Sequence, residues 1–138
     1  MNVKINNTSG YPLEYQTKGS VGADLINSDK NFTLYPMDRV LVGTGIFIEE
    51  MDENLEAQIR PRSGLAAKQG VTVLNTPGTI DSDYRNEIKV ILINLSNDIV
   101  LIEKGERIAQ IVFNEIVKPN NINIKNIDRI GGFGSTSK

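Results

Sequence analysis

Three observations predict a compact all-β sandwich or barrel carrying a single short helix. Short apolar runs recur along the chain, separated by Gly, Pro, Asn and Asp. Within most of these runs apolar and polar residues alternate, which is the period of a half-buried strand and not of a helix. Only one segment carries both a helix start and a helix stop signal. At 138 residues the chain is a single domain, large enough to bury roughly two thirds of the surface its unfolded form exposes.

Taken in order, Val3-Lys4-Ile5 alternates and reads as a first strand, broken at Gly10-Tyr11-Pro12. Gly19 to Ile26 reads as a loop entering a second strand, and Phe32-Thr33-Leu34-Tyr35 is a third that stops at Pro36. From Arg39 to Glu49, Val40, Val42, Ile46 and Ile48 share one parity, and Gly43 and Gly45 mark a bend or bulge between two halves. Leu55 to Arg60 alternates again and ends at Pro61.

Ser63-Gly64-Leu65-Ala66-Ala67-Lys68-Gln69-Gly70 then offers a serine N-cap, helix formers, a lysine in the last turn and a closing glycine. Val71 to Leu74 and Ile88 to Ile93 read as the two arms of a hairpin whose tip, Gly78 to Glu87, gathers four charged side chains and Tyr84. Val90-Ile91-Leu92-Ile93 does not alternate, so this strand is expected to be covered on both faces, and the second cover in so small a domain is a further copy of the chain. Ile99 to Ile102, a Lys104-Gly105-Glu106 turn and Arg107 to Val117 complete the strands. Beyond Pro119 the chain is rich in Asn and Ile and ends in Gly131-Gly132-Phe133-Gly134-Ser135-Thr136-Ser137-Lys138.

Composition removes several classes of chemistry. The chain has no cysteine, so disulfides, thiol nucleophiles and thiolate metal sites are excluded. It has no histidine, which removes the commonest general base and the usual nucleophilic triads. Net charge is −2 and the pI is about 5.2, so no long-range field gathers nucleic acid or an anionic membrane. No run of about 18 apolar residues suits a membrane span, and Met1-Asn2-Val3-Lys4-Ile5 has no apolar leader core. The expectation is a soluble cytoplasmic protein that binds neither nucleic acid nor membrane.

Without histidine, a water or hydroxyl nucleophile has to be oriented by a carboxylate. Asp81 is the one flanked by binding groups: Asn75 and Gly78 before it, Tyr84, Arg85 and Lys89 after it. A carboxylate is a weak base at neutral pH, so it suits a reaction with a good leaving group and strong charge neutralisation, such as transfer at a phosphoanhydride. Arg60-Pro61-Arg62-Ser63-Gly64 sets two arginines and the free amides of residues 64 to 66 at the helix start, which reads either as a phosphate site or as a capped surface helix with solvated arginines. The glycine-rich terminus is either a loose tail or an arm that orders on a ligand, with Phe133 as a stacking face and Ser135 and Thr136 as phosphate donors. Asp24 reads equally as an Asx turn, and Gln110 as a satisfied buried amide or a ligand donor.

Taken together and in this order, five stretches resemble the trimeric, all-β deoxyuridine triphosphatases: Gly22-Ala23-Asp24-Leu25, Pro61 to Ala66, Gly78 to Arg85, Arg107-Ile108-Ala109-Gln110 and Gly132-Phe133-Gly134-Ser135-Thr136. The resemblance implies a jelly-roll-like β-barrel, assembled as a homotrimer, in which residues from about 119 to 138 form a C-terminal arm closing over a neighbouring subunit's active site. It implies Mg2+-dependent hydrolysis of dUTP to dUMP and pyrophosphate, which keeps uracil out of DNA and supplies dUMP for thymidylate synthesis. Asp81 would orient the water that attacks the α-phosphorus, and Asn75 with backbone groups of Gly78, Thr79 and Ile80 would read the uracil edge. Tyr84 would stack under the deoxyribose, with Lys89 as a supporting contact. Arg62, the second catalytic residue, would hold phosphates with Ser63, Gly64 and Gln110, while Asp24 would bind the hydration shell of the magnesium. Phe133 would cap the base, and Gly134, Ser135 and Thr136 would close on the terminal phosphate.

The chain departs from the family pattern at three places. Asn86 stands where Gly is usual, Ser137 likewise, and the arm's arginine is one residue closer to Phe133, so that Arg129 has to absorb the shift to reach the triphosphate. Two other readings fit the same fold: a dCTP deaminase-like enzyme, and a non-catalytic nucleotide-binding regulatory module.

Overall fold

The described residues form ten strands and one helix: β1 (Val3–Asn7), β2 (Ala23–Ile26), β3 (Phe32–Leu34), β4 (Arg39–Met51), β5 (Leu55–Arg60), α1 (Ser63–Gln69), β6 (Val71–Val73), β7 (Gly78–Ile80), β8 (Ile88–Asn94), β9 (Val100–Ile102) and β10 (Arg107–Glu115). The computed structural model describes residues 2–125, 127, 129 and 131. Two four-stranded sheets, ordered β1-β4-β8-β6 and β2-β10-β5-β7, and a small β3-β9 sheet hold all the strands, and every pairing is antiparallel. The fold is all-β with one short helix, as predicted.

Alternation creates the core. β5 buries Leu55, Ala57 and Ile59 and turns Glu56, Gln58 and Arg60 outward. Leu25, Ile108 and Ile111 from its sheet meet Val42, Ile48, Val90 and Leu92 from the other in one cluster. Each such buried aliphatic side chain contributes about 1.5–3 kcal/mol. In β8, Val90, Leu92 and Ile93 are buried and Ile91 is partly so. β4 and β6 flank the two edges of β8 within its sheet.

The predicted bulge is present in β4, where the register against β8 slips between Gly43 and Ile46. Gly45 takes φ 69°, and a Cβ there would lie 2.8 Å from the Ser9 Cα. Side chains replace the interrupted ladder. Thr44 Oγ1 donates to the Ile88 carbonyl at 2.5 Å and accepts from the Ile46 amide, while Glu87 Oε2 accepts from the Gly45 amide at 2.9 Å.

Two details differ from the sequence reading. The helix cap is Arg62 in extended conformation with no side-chain cap bond, and Ser63 is the first helical residue. The Ala66 amide closes the first turn onto the Arg62 carbonyl at 3.1 Å, so the amides left over at this end belong to Ser63, Gly64 and Leu65. The segment after β6 is also not a simple hairpin tip. β6 does pair with β8, but β7 crosses to the opposite sheet and pairs with β5, Ala57 opposite Ile80 and Ile59 opposite Gly78. The stretch thereby bridges the two sheets, and a cleft opens beside it.

Candidate functional site

The cleft, of about 170 Å³, is lined by Ile59, Asn75, Gly78, Thr79, Ile80, Tyr84, Lys89, Ile91 and Arg129. Among the described residues, every nucleoside-pocket residue expected from the sequence lines it except Asp81, which follows the end of β7 and lines the adjoining hollow with Ser82, Asp83 and Arg129. A Cβ at Gly78 would stand 3.2 Å from Asn75 Nδ2 and 3.4 Å from Ile59 Cβ, so a side chain there would press Asn75 out of its place in the cleft. Ile59 and Ile91 were missed. Ile59 falls on the inward face of an alternating strand and Ile91 in an apolar run without alternation, so both read as core from sequence, and the path of β7 makes them cleft walls.

Tyr84 is the rigid wall. It is 6% exposed, and its hydroxyl donates to the Glu87 carbonyl at 3.0 Å. Burial pushes its phenol above the ordinary value of 10, Arg129 pulls the other way and Glu87 adds to the rise, so the ring is neutral in the physiological range. Arg85 does not reach the cleft. Its Nη1 donates to the carbonyls of Ser82 at 2.7 Å and Tyr84 at 3.2 Å, closing its own turn.

Arg129 enters from the far end of the chain. Its Nη1 donates to Asp81 Oδ2 at 2.6 Å, stands 3.6 Å from Asp83 Oδ1, and its guanidinium carbon lies 5.5 Å from the centre of the Tyr84 ring. The residue expected to reach a triphosphate therefore sits on the carboxylate expected to orient water.

A second, more polar pocket of about 280 Å³ is lined by Gln16, Ser20, Val21, Gly22, Asp24, Arg62, Ser63, Gly64 and Gln110. Here β2 and β10 place Asp24 opposite Gln110, and β5 places Arg60 on the other side of Gln110. Gln110 is the bonded amide foreseen: its Nε2 donates to the Pro61 carbonyl at 3.0 Å. Its Oε1 comes so near Gly22 that a Cβ there would stand 2.3 Å away, so any larger residue at this position would displace the Gln110 side chain. Asp24 faces Arg62 at 3.6 Å and Arg107 at 3.7 Å, and Arg62 Nη1 also donates to the Arg107 carbonyl at 3.2 Å. Arg107, Gln16 and Ser20 were not assigned to the site from sequence, and only Arg107 had a motif to mark it. The arginines, Ser63 and the unused amides at the helix start form a site suited to polyanions.

Among the described residues none lines both pockets. Phe133, Gly134, Ser135 and Thr136 lie outside the described residues. Among the described residues no group of three or more Asp or Glu could hold a metal, and no helix is long and apolar enough to cross a membrane.

Residues 10–137 match the dUTPase family. The chain is 55% identical over 137 residues to the deoxyuridine 5'-triphosphate nucleotidohydrolase of Hydrogenobaculum sp., covering 96% of this chain and 94% of that one. It is 51% identical to the enzyme of the same name from Cytophaga hutchinsonii, over 99% and 92% of the two chains. Its fold is similar to a mutant dUTPase from Staphylococcus aureus phage phi11, described as coordinating a structural Mg(II) ion, with a TM-score of 0.78 at 15% identity over 94% and 100% of the chains. It is also similar to native EIAV dUTPase, with a TM-score of 0.73 at 20% identity over 92% and 97%. With the family matched over nearly the whole length and relatives sharing half their residues, the chain belongs to the dUTPase family.

Proposed function

We propose that this protein hydrolyses dUTP to dUMP and pyrophosphate, with Asp81 as the carboxylate that orients the attacking water. The observation that carries the reading is the cleft, in which Asn75 and the backbone of β7 form an edge of fixed polarity and Tyr84 a flat floor, with Asp81 directly after β7. Asn75 and the β7 backbone would pair with the uracil edge, and Tyr84 under the sugar would exclude a 2′-hydroxyl. Water, aimed by Asp81, forms a bond to the α-phosphorus as the bond to the pyrophosphate oxygen breaks. Its proton passes to the carboxylate and then to solvent. Arg62 and the amides of Ser63 and Gly64 would neutralise the phosphates, with Gln110 beside them.

Magnesium fits this donor set through the substrate. One carboxylate, Asp24, lines the phosphate pocket, and Mg2+ commonly takes one or two carboxylates, waters and phosphate oxygens instead of an all-protein cage. When bound it would supply charge neutralisation at the phosphates. Asp24, now facing Arg62 and Arg107, would accept from water in its hydration shell.

Because the two pockets share no lining residue among the described residues, a nucleotide occupying both would be served by neighbouring chains that pair a cleft with a phosphate pocket, as in the homotrimer the family resemblance implies. The segment from about 119 to 138, with Phe133 to Thr136, would close over such a shared site. Pyrophosphate release from dUTP, dTTP, dCTP and UTP with Mg2+ tests the reading. Selective release from dUTP is expected; equal rates on all four, no release from dUTP, or ammonia release from dCTP would overturn it.

A further inference from the structure

We infer that Gly22 is a positioning residue for Gln110, keeping the amide nitrogen of that side chain turned toward the phosphates; this rests on the proposed dUTP hydrolysis. Gly22 is buried, directly before β2, and lines the polar pocket together with Gln110. A Cβ at this position would stand 2.3 Å from Gln110 Oε1 and 3.0 Å from Gln110 Cβ and Cδ, so its three nearest atoms would all belong to this one side chain. Gly22 is not among the glycines with positive φ, so no left-handed backbone calls for glycine there. The missing side chain provides room for Gln110.

That room fixes which end of the amide faces the pocket. Nε2 donates to the Pro61 carbonyl at 3.0 Å, and a carbonyl only accepts, so the nitrogen end belongs at Pro61 and the oxygen end lies over Gly22. An NH2 group has two hydrogens, and among the described residues the second has no acceptor. It is left for a ligand in the pocket that Arg62, Ser63 and Gly64 also line, where a donor suits a polyanion and an acceptor would repel it. The same bond ties Pro61 to β10, and Arg62 Nη1 adds a second tie through the Arg107 carbonyl at 3.2 Å. A methyl at position 22 would push the amide off Pro61, which removes the donor from the pocket and one of the two ties that seat the helix start.

The test uses the full chain, its fold checked by melting temperature, and measures Kd for the dUTP analogue dUpNHpp with Mg2+ and for deoxyuridine, which has the base and sugar but no phosphate. Gly22→Ala is expected to weaken dUpNHpp binding on the order of 10-fold and to leave deoxyuridine affinity unchanged. In the Gln110→Ala background it should add less than about twofold, because no amide remains to be displaced. Gln110→Glu keeps the shape but puts an acceptor where the donor stood, and should weaken dUpNHpp at least as much as Gly22→Ala does. Unchanged dUpNHpp affinity in either variant would overturn the inference, the second result standing whether or not Gly22→Ala folds. So would equal weakening of both ligands, or losses that multiply in the double variant. A wild type that binds no dUpNHpp overturns the proposed function as well; one that binds it, with Gly22→Ala binding it equally well, overturns this inference alone.

Discussion

At the scale of single residues, the charged cluster of Gly78 to Glu87 divides its labour. Glu87 secures the bulge, Arg85 closes a turn, Asp83 stands beside Arg129, and Asp81 is the carboxylate proposed for the chemistry. Asp81→Asn, nearly isosteric, is expected to keep dUpNHpp binding and lose about 10²–10⁴-fold in turnover; retained turnover would remove Asp81 from its role. Tyr84 gives a pH prediction. Its phenol is raised above 10 mainly by burial, so the stability gained by keeping it protonated is present in full below pH 10 and is lost as the pH rises through the folded-state value. Tyr84→Phe should cost about 1 kcal/mol at neutral pH for the lost bond to Glu87 and flatten the alkaline decline in urea-unfolding stability. Equal decline in both proteins would argue against a raised phenol.

At the scale of elements, the site depends on β4 bending where it does. The bulge between Gly43 and Ile46 lets Glu87, at the foot of β8, reach the Gly45 amide, which fixes the base of the segment carrying Tyr84. Gly45→Ala forces an ordinary residue to φ 69° and drives a methyl to within 2.8 Å of the Ser9 backbone. The left-handed conformation alone costs about 1–2 kcal/mol, so urea unfolding should show at least that loss. A midpoint equal to wild type would mean that β1 and β4 separate freely. The presence of this bulge was legible from Gly43 and Gly45; the partner that stabilises it was not, because Glu87 lies 42 residues away.

At the scale of the whole molecule, the nucleotide site proposed above would need both pockets, with the terminal arm expected to carry the remaining contacts. Truncation before Gly131 should leave the unfolding midpoint unchanged and abolish dUTP turnover. Sedimentation of the wild type should report three copies of the 15.2-kDa chain. A monomer with full turnover would require both pockets to serve one nucleotide within a single chain. Relatives at 55% and 51% identity make the family assignment independent of the arm, since most of the matched residues precede it.

The sequence by itself determined most of the strands, the short helix, the bulge and most of the residues that line the two pockets. Those features are local: side-chain alternation, glycine and proline punctuation, and motifs read within a few residues. Tertiary structure alone decided that Gly78–Ile80 leaves one sheet for the other, that Ile59 and Ile91 become cleft walls, and that Arg129 rests on Asp81. Each of these joins positions far apart in the chain. Their pairing follows from sheet register and from which buried surfaces meet, and neither is written in the pattern of neighbouring residues.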